Sequence, residues 1–162
     1  MRYFALALLI LLPPARGTCQ ANTGCPWLNV ATASGVLRSS DTGPMATLAE
    51  GSSAGCSFDY RDATASRLLK ITVQQAKDDA QAISDYKARC SVGATPLSGI
   101  GNEACGAAAK GQTYGQEVIG RVRDQIFTVT VTTTARHDPF MPKEALQEKA
   151  RDIAEQVAGA LF

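Results

Sequence analysis

Residues 125–133 read Gln-Ile-Phe-Thr-Val-Thr-Val-Thr-Thr, and this stretch decides the fold. In an extended chain Phe127, Val129 and Val131 fall on one side, with Thr128, Thr130 and Thr132 on the other. Apolar-polar alternation with a period of two is the pattern of a half-buried strand. Such a strand belongs to an antiparallel sheet with one face packed and the other wet.

Upstream, residues 116–123 place Val118 and Val122 on one side. Glu117, Ile119, Arg121 and Arg123 fall on the other, so the two arginines read as a solvated face. Residues 103–110 supply a third strand of this half. Further back, Cys56, Phe58 and Tyr60 alternate with Ser57, Asp59 and Arg61, and Leu69, Ile71 and Val73 repeat the pattern. Residues 45–50 read as a weaker strand joined to them through a hairpin loop at 51–53. Short turns between sequential strands imply an antiparallel meander.

Helices frame these strands. Pro26 suits a first helical turn, and Trp27, Val30, Ala31 and Val36 are the apolar positions of a helix over about 26–36. Ala76, Ala80, Ile83, Tyr86 and Cys90 recur at helical spacing, with Asp78 and Asp79 near the positive end of that helix. Leu146, Ala150, Ile153, Val157 and Leu161 form the apolar stripe of a last helix. The expected order is α-βββ-α-βββ-α: an α+β domain with an antiparallel sheet of about six strands in two βββ-α units, and helices packed against it. Residues 91–102, with Pro96 and three glycines, read as an irregular loop.

The chain opens with Arg2, an apolar run over 4–12 and Pro13-Pro14, which is the layout of a secretory signal peptide. The run is shorter than the roughly 20 residues a membrane span needs. Cysteine parity places cleavage after Ala21, because that cut leaves four cysteines, and an even number suits an oxidising compartment. The expected division is therefore a signal peptide over 1–21 and one domain over 22–162. Lipid attachment at Cys19 fits poorly, since Arg16 and Thr18 occupy the lipobox positions that call for an apolar and a small residue. Losing Arg2 and Arg16 from 16 basic residues leaves them one short of the 15 acidic ones. Near-neutral charge gives no electrostatic footprint for nucleic acid or an anionic membrane.

Four cysteines allow three pairings. Cys90 ends the middle helix and Cys105 opens the next strand, so their bond closes the irregular loop. Cys25 then tethers the first helix to Cys56. These are fasteners rather than a redox pair, for the sequence has no Cys-x-x-Cys and no helix N-terminus to lower a thiol pKa. With His137 the sole histidine, the spacing is also wrong for zinc.

Gly99-Ile100-Gly101-Asn102-Glu103-Ala104 matches the dinucleotide fingerprint G-x-G-x-x-[GA] in letters. The fingerprint needs a strand before and a helix after. Here Thr95-Pro96-Leu97-Ser98 precedes and a strand follows, so a tight glycine turn is the reading and no cofactor is expected. Asp78 and Asp79 are adjacent on a helix and cannot converge on one substrate atom. Glu103 is the acid the long loop brings nearest a cleft. His137 beside Asp138 reads as an exposed loop histidine, and no G-x-S-x-G is present. Trp27 reads as a core or helix anchor.

Cys25-Pro26-Trp27-Leu28-Asn29, Ala31-Thr32-Ala33, Gly35-Val36-Leu37, Cys56, the run from Pro96 to Ala104 and the ending from Ile153 to Phe162 together form a recognisable pattern. It resembles small exported bacterial proteins, many of them lipoproteins, whose family is described only as a domain of unknown function. The resemblance covers nearly all of the chain after residue 21. It implies an antiparallel sheet flanked by helices and supplies no active-site residues; the sequence around Cys19 departs from the lipoprotein members.

The expected function is a non-catalytic module of the periplasm or cell exterior that binds a small ligand or an envelope protein. Its surface is a cleft between the sheet and residues 91–102, with Gly99, Gly101, Asn102 and Glu103 as the candidate binding loop. The alternative is a secreted hydrolase that uses His137 with Glu103 or Asp138.

Overall fold

The computed structural model describes residues 24–38, 48–50, 53–90, 93–111 and 114–162. The signal peptide, its cleavage site, Cys19, the turn over 39–44 and the start of the first strand lie outside the described residues.

The molecule is α+β, as the alternation in the sequence implied. Helix α1 is Val30–Leu37; strands β1 Leu48–Glu50, β2 Ser53–Arg61 and β3 Ser66–Gln75 follow, and then α2, Asp79–Arg89. The second half holds β4 Thr95–Leu97, β5 Glu103–Ala108, β6 Tyr114–Val122 and β7 Gln125–Thr133, and ends with α3, Lys143–Leu161. All strands join one antiparallel sheet in the order β1-β2-β3-β7-β6-β5-β4. The sheet has seven strands rather than about six. The addition is β4, which runs through the stretch expected to be irregular and pairs with β5 at the sheet's edge. Pro96 is compatible with that place because an edge strand can forgo an N–H.

The central pair is β3 and β7, in register Ile71↔Val129 and Val73↔Phe127. Their inward side chains, Leu69 among them, form the main core with Cys56 and Phe58 of the neighbouring β2, and α1 and α3 cover it. Helix α3 buries Leu146, Ala150, Ile153, Ala154, Val157 and Ala158 against β6 and β7. Beneath it β6 has Gly120 opposite Phe127, whose ring occupies the place a Cβ would take.

Helix α1 begins later than Pro26. Asn29 takes the N-cap instead, its side-chain oxygen accepting the Thr32 N–H at 2.8 Å. Trp27 thus precedes the helix and packs, half-buried, on the main core. The helix turns Ala33 and Leu37 inward and leaves Val30 exposed. Helix α2 lies on the opposite face of the sheet, over a second, smaller cluster of Ala76, Ala82, Cys105, Ile119 and Ile126. Asp78 caps it by accepting from Gln81 N–H at 2.8 Å. Two disulfides, Cys25–Cys56 and Cys90–Cys105, have Cα–Cα separations of 5.6 and 6.0 Å, the pairing expected from position. Among the described residues no helix is long and apolar enough to cross a membrane.

Candidate functional site

The loop from Gly99 to Glu103 is pinned to the β6–β7 turn. Gly99 and Gly101 both have positive φ, 84° and 58°, the glycine turn foreseen. Gly101 also lies so close to β6 that an added Cβ would stand 2.5 Å from the Arg121 carbonyl oxygen. Asn102 N–H donates to that carbonyl, and the Asn102 side-chain oxygen accepts the Arg123 N–H at 2.7 Å. Ile100, between the glycines, is buried in the main core. Strand β5, not a helix, follows the loop, so its glycines serve a tight turn.

Arg121 departs from the solvated face expected of it. It is 8% exposed, because α2 lies over this end of the sheet. Its guanidinium donates to Asp79 at 2.5 Å, to Glu103 at 3.1 Å and to the Arg123 carbonyl at 2.8 Å. Arg123 sits in the β6–β7 turn at φ 54° rather than in a strand. Glu103 therefore has a partner, and that partner is a structural cation holding the start of α2.

His137 is exposed. Its neighbour Asp138 is only 3% exposed and gives its oxygens to other groups. Asp138 accepts from Arg67 Nε at 2.6 Å, Arg67 Nη2 at 3.0 Å, the Thr133 hydroxyl at 2.8 Å and the Phe140 N–H at 2.9 Å. Burial pushes the Asp138 carboxyl up, but these hydrogen bonds outweigh it and hold the group below the ordinary aspartate value. Arg67 itself is 1% exposed and pairs also with Asp62 at 3.2 Å. The rings of Tyr60 and Phe140 lie 5.5 and 5.1 Å from it. The Thr64 hydroxyl, with the Thr64 and Ala65 N–H groups, lowers the Asp62 pKa to about 2. Glu103 pairs in register with Arg121 at one end of the β6–β7 ribbon, whereas His137 follows Thr133 at the other. At about 3.3 Å per residue the two are on the order of 20 Å apart. The structure thus brings His137 together with neither acid in a relay.

A different site emerges where α3 meets the sheet. The helix crosses β6 and β7, and on the same face Ala104 of β5 joins the core while Gly106, Ala108 and Thr95 of β4 stay open. Strand β5 presents Gly106 and Ala108 there, too small to fill the space. A groove of about 600 Å³ results. Its floor is Thr95, Leu97, Gly106, Ala108, Gln116 and Val118, and its wall is the polar side of α3 from Lys143 to Arg151. A recess of about 290 Å³ continues it past Gln116 toward Tyr114, Arg136 and Met141. Where the two meet, Gln116 Oε1 is buried with no hydrogen-bond partner among the described residues, which is costly for a carbonyl oxygen unless something donates to it.

On the wall, Arg151 is engaged: it pairs with Glu155 at 3.0 Å and donates to the Ser98 carbonyl at 3.1 Å. Glu144 and Glu148 stand one helical turn apart, and among the described residues neither lies within salt-bridge distance of a cation, Glu148 interacting with Lys149 only at longer range. Like charges at that spacing repel. The groove is lined by Glu117, Glu144 and Glu148 against Lys143 and Arg151, the last already engaged by Glu155, so its remaining charge is negative above a largely apolar floor. Among the described residues no group of three His, Cys, Asp or Glu side chains converges to hold a metal ion.

The groove escaped the sequence reading because it depends on where α3 lies relative to β5. The run Gly106-Ala107-Ala108 in a strand was its one local signal. The buried Arg67 had a clearer one, for it shares the inward parity of Leu69, Ile71 and Val73. Fold and site together define a disulfide-bonded α+β domain with an open groove at one edge of its sheet. No protein-family model, curated protein or solved structure matches the chain.

Proposed function

We propose that this protein is an exported, non-catalytic binding domain, of the kind found among small exported bacterial proteins of unknown function, and that its ligand occupies the groove between α3 and strands β4–β6. The observation that carries the reading is the unpartnered Gln116 oxygen between the groove and its recess. That oxygen is closed to solvent in the fold and gains a partner when its side chain turns toward a donor in the groove, whereas a purely structural glutamine pairs within the fold. Glu117, Glu144 and Glu148 outweigh Lys143 once Arg151 is taken up by Glu155, so the fitting ligand donates hydrogen bonds and is cationic. A lysine-bearing peptide segment has that chemistry, and its methylene stem suits Leu97 and Val118.

Two disulfides fit an oxidising compartment, which supports export of the chain after removal of residues 1–21. The acid partners that a His137 hydrolase needs are committed elsewhere, Asp138 to Arg67 and Glu103 to Arg121.

Titration of the isotope-labelled domain with Gly-Lys-Gly tests the binding reading, with Gly-Glu-Gly as control. Amide shifts confined to residues 106–108, 116–118 and 143–151, present for the lysine peptide and lost in Glu144→Gln/Glu148→Gln, are expected. Equal response to both peptides, or none at these residues, refutes it. The intact mass of the exported protein, expected to begin at Asn22, tests processing separately.

A further inference from the structure

We infer that the Cys90–Cys105 disulfide is a redox-sensitive clasp that holds α2 down as a hinged cover on the second face of the sheet. The inference is independent of the groove.

The two faces are covered very differently. Helix α3 buries six side chains, but α2, 11 residues long, fully buries only Ala82. An isolated helix of that length is marginal in water. Ala82 and the half-buried Tyr86 are its apolar holds on Ile119 and Ile126 beneath, far fewer than those of α3. The N-terminal end of α2 is secured by Ala76 N–H donating to the Asp124 carbonyl at 2.8 Å and by Asp79 pairing with Arg121 at 2.5 Å. Its C-terminal end has a hydrogen bond from exposed Arg89 to Gln74 and the covalent bond from Cys90 to Cys105. One end is thus a hinge and the other a latch.

The other disulfide holds nothing comparable. Breaking Cys25–Cys56 leaves α1 packed through Ala33 and Leu37 and the segment before it through Leu28, with Lys149 Nζ donating to the Val36 carbonyl at 2.7 Å.

A dithiol reductant opens the latch by ordinary exchange. Its thiolate attacks the Cys90 sulfur, which is half-buried, whereas Cys105 is 4% exposed. The Cys90–Cys105 bond breaks, Cys105 leaves as thiolate and takes a proton, and Cys90 is left in a mixed disulfide. The second reductant thiolate attacks the first reductant sulfur and releases Cys90, which is protonated in turn. Two electrons and two protons enter the protein, and the reductant becomes a disulfide. Helix α2 then swings about Ala76–Asp79, uncovering Ile119 and Ile126.

Hydrogen exchange read by mass spectrometry on the mature chain tests this. Cys90→Ala/Cys105→Ala is expected to exchange at least about tenfold faster over residues 79–97 while β2, β3, β6 and β7 stay protected. In Cys25→Ala/Cys56→Ala, which retains one disulfide, dithiothreitol produces the same local loss and oxidised glutathione reverses it. Unchanged exchange over 79–97, or protection lost throughout the sheet, overturns the inference. Should the Cys25→Ala/Cys56→Ala protein not fold, the Cys90→Ala/Cys105→Ala comparison decides alone.

Discussion

Arg67 and Asp138, 71 positions apart in sequence, form a buried two-point ion pair, Nε to Oδ2 at 2.6 Å and Nη2 to Oδ1 at 3.0 Å. The pair ties the segment before α3 to the central strand β3, and so sets where the long helix begins. Thr133 and Phe140 satisfy the remaining demand of the carboxylate. Such a pair is costly to break and cheap to replace whole, because removal of one partner strands the other charge in the core.

Asp138→Asn is accordingly expected to destabilise the domain by about 3–5 kcal/mol in urea unfolding, although it keeps the shape of the side chain. Arg67→Met is expected to be similarly harmful. The double variant Arg67→Met/Asp138→Leu should lose less than the sum of its parts. Additive losses would mean that the two side chains act separately.

Acid should find the same network. Asp62 titrates at about 2 in the folded protein and Asp138 is also held down, against an unfolded value of about 3.9. A carboxyl with a depressed folded pKa contributes stability that is fully present above the unfolded value. That contribution fades as pH falls through the folded one. Stability should therefore be flat in these groups from pH 5 to 8 and fall between about pH 4 and 2. Asp62→Asn should flatten that fall, as urea midpoints measured across the range will report.

The residues explain what the sequence made legible. Strand β7 was plain because each of its faces meets a different medium, and Phe127, Val129 and Val131 record that at every second position. The cysteine pairs followed from which elements they end and begin. Strand β4 was hidden because three residues containing Pro96 carry no period. The first helix was begun too early because Pro26 signalled a first turn that Asn29, the true cap, overrode. Arg121 was misplaced because burial of its face depends on α2 arriving from elsewhere in the chain. Arg67 had its warning in its parity, but its partner Asp138 is distant in sequence, and no local pattern links them. The groove has the same origin, since Gly106 and Ala108 are merely small until α3 passes beside them.

The two loop glycines should separate cleanly. Gly99 has positive φ with open space around it, so Gly99→Ala is expected to cost about 1 kcal/mol from backbone strain alone. Gly101 adds a collision with the Arg121 carbonyl, so Gly101→Ala should cost about 2–4 kcal/mol and disturb the Asn102 contacts to the β6–β7 turn. Thermal unfolding of the two variants, with amide shifts at Arg123, distinguishes them.

Gln116 gives the sharpest test of whether the groove is a site or an imperfection of packing. Its buried oxygen has no partner among the described residues, and an unsatisfied buried acceptor costs about 1–3 kcal/mol. Gln116→Met keeps the length of the side chain and removes that polar atom, so the variant should be more stable by about 1 kcal/mol. If the oxygen is retained to receive a ligand's donor, the same substitution should weaken peptide binding at the groove about tenfold, the loss of one hydrogen bond. Stability and affinity would then move in opposite directions from a single side chain. A variant that gains stability and binds undiminished would show that Gln116 has no part in recognition, and one that loses stability would show that its amide is already satisfied within the fold.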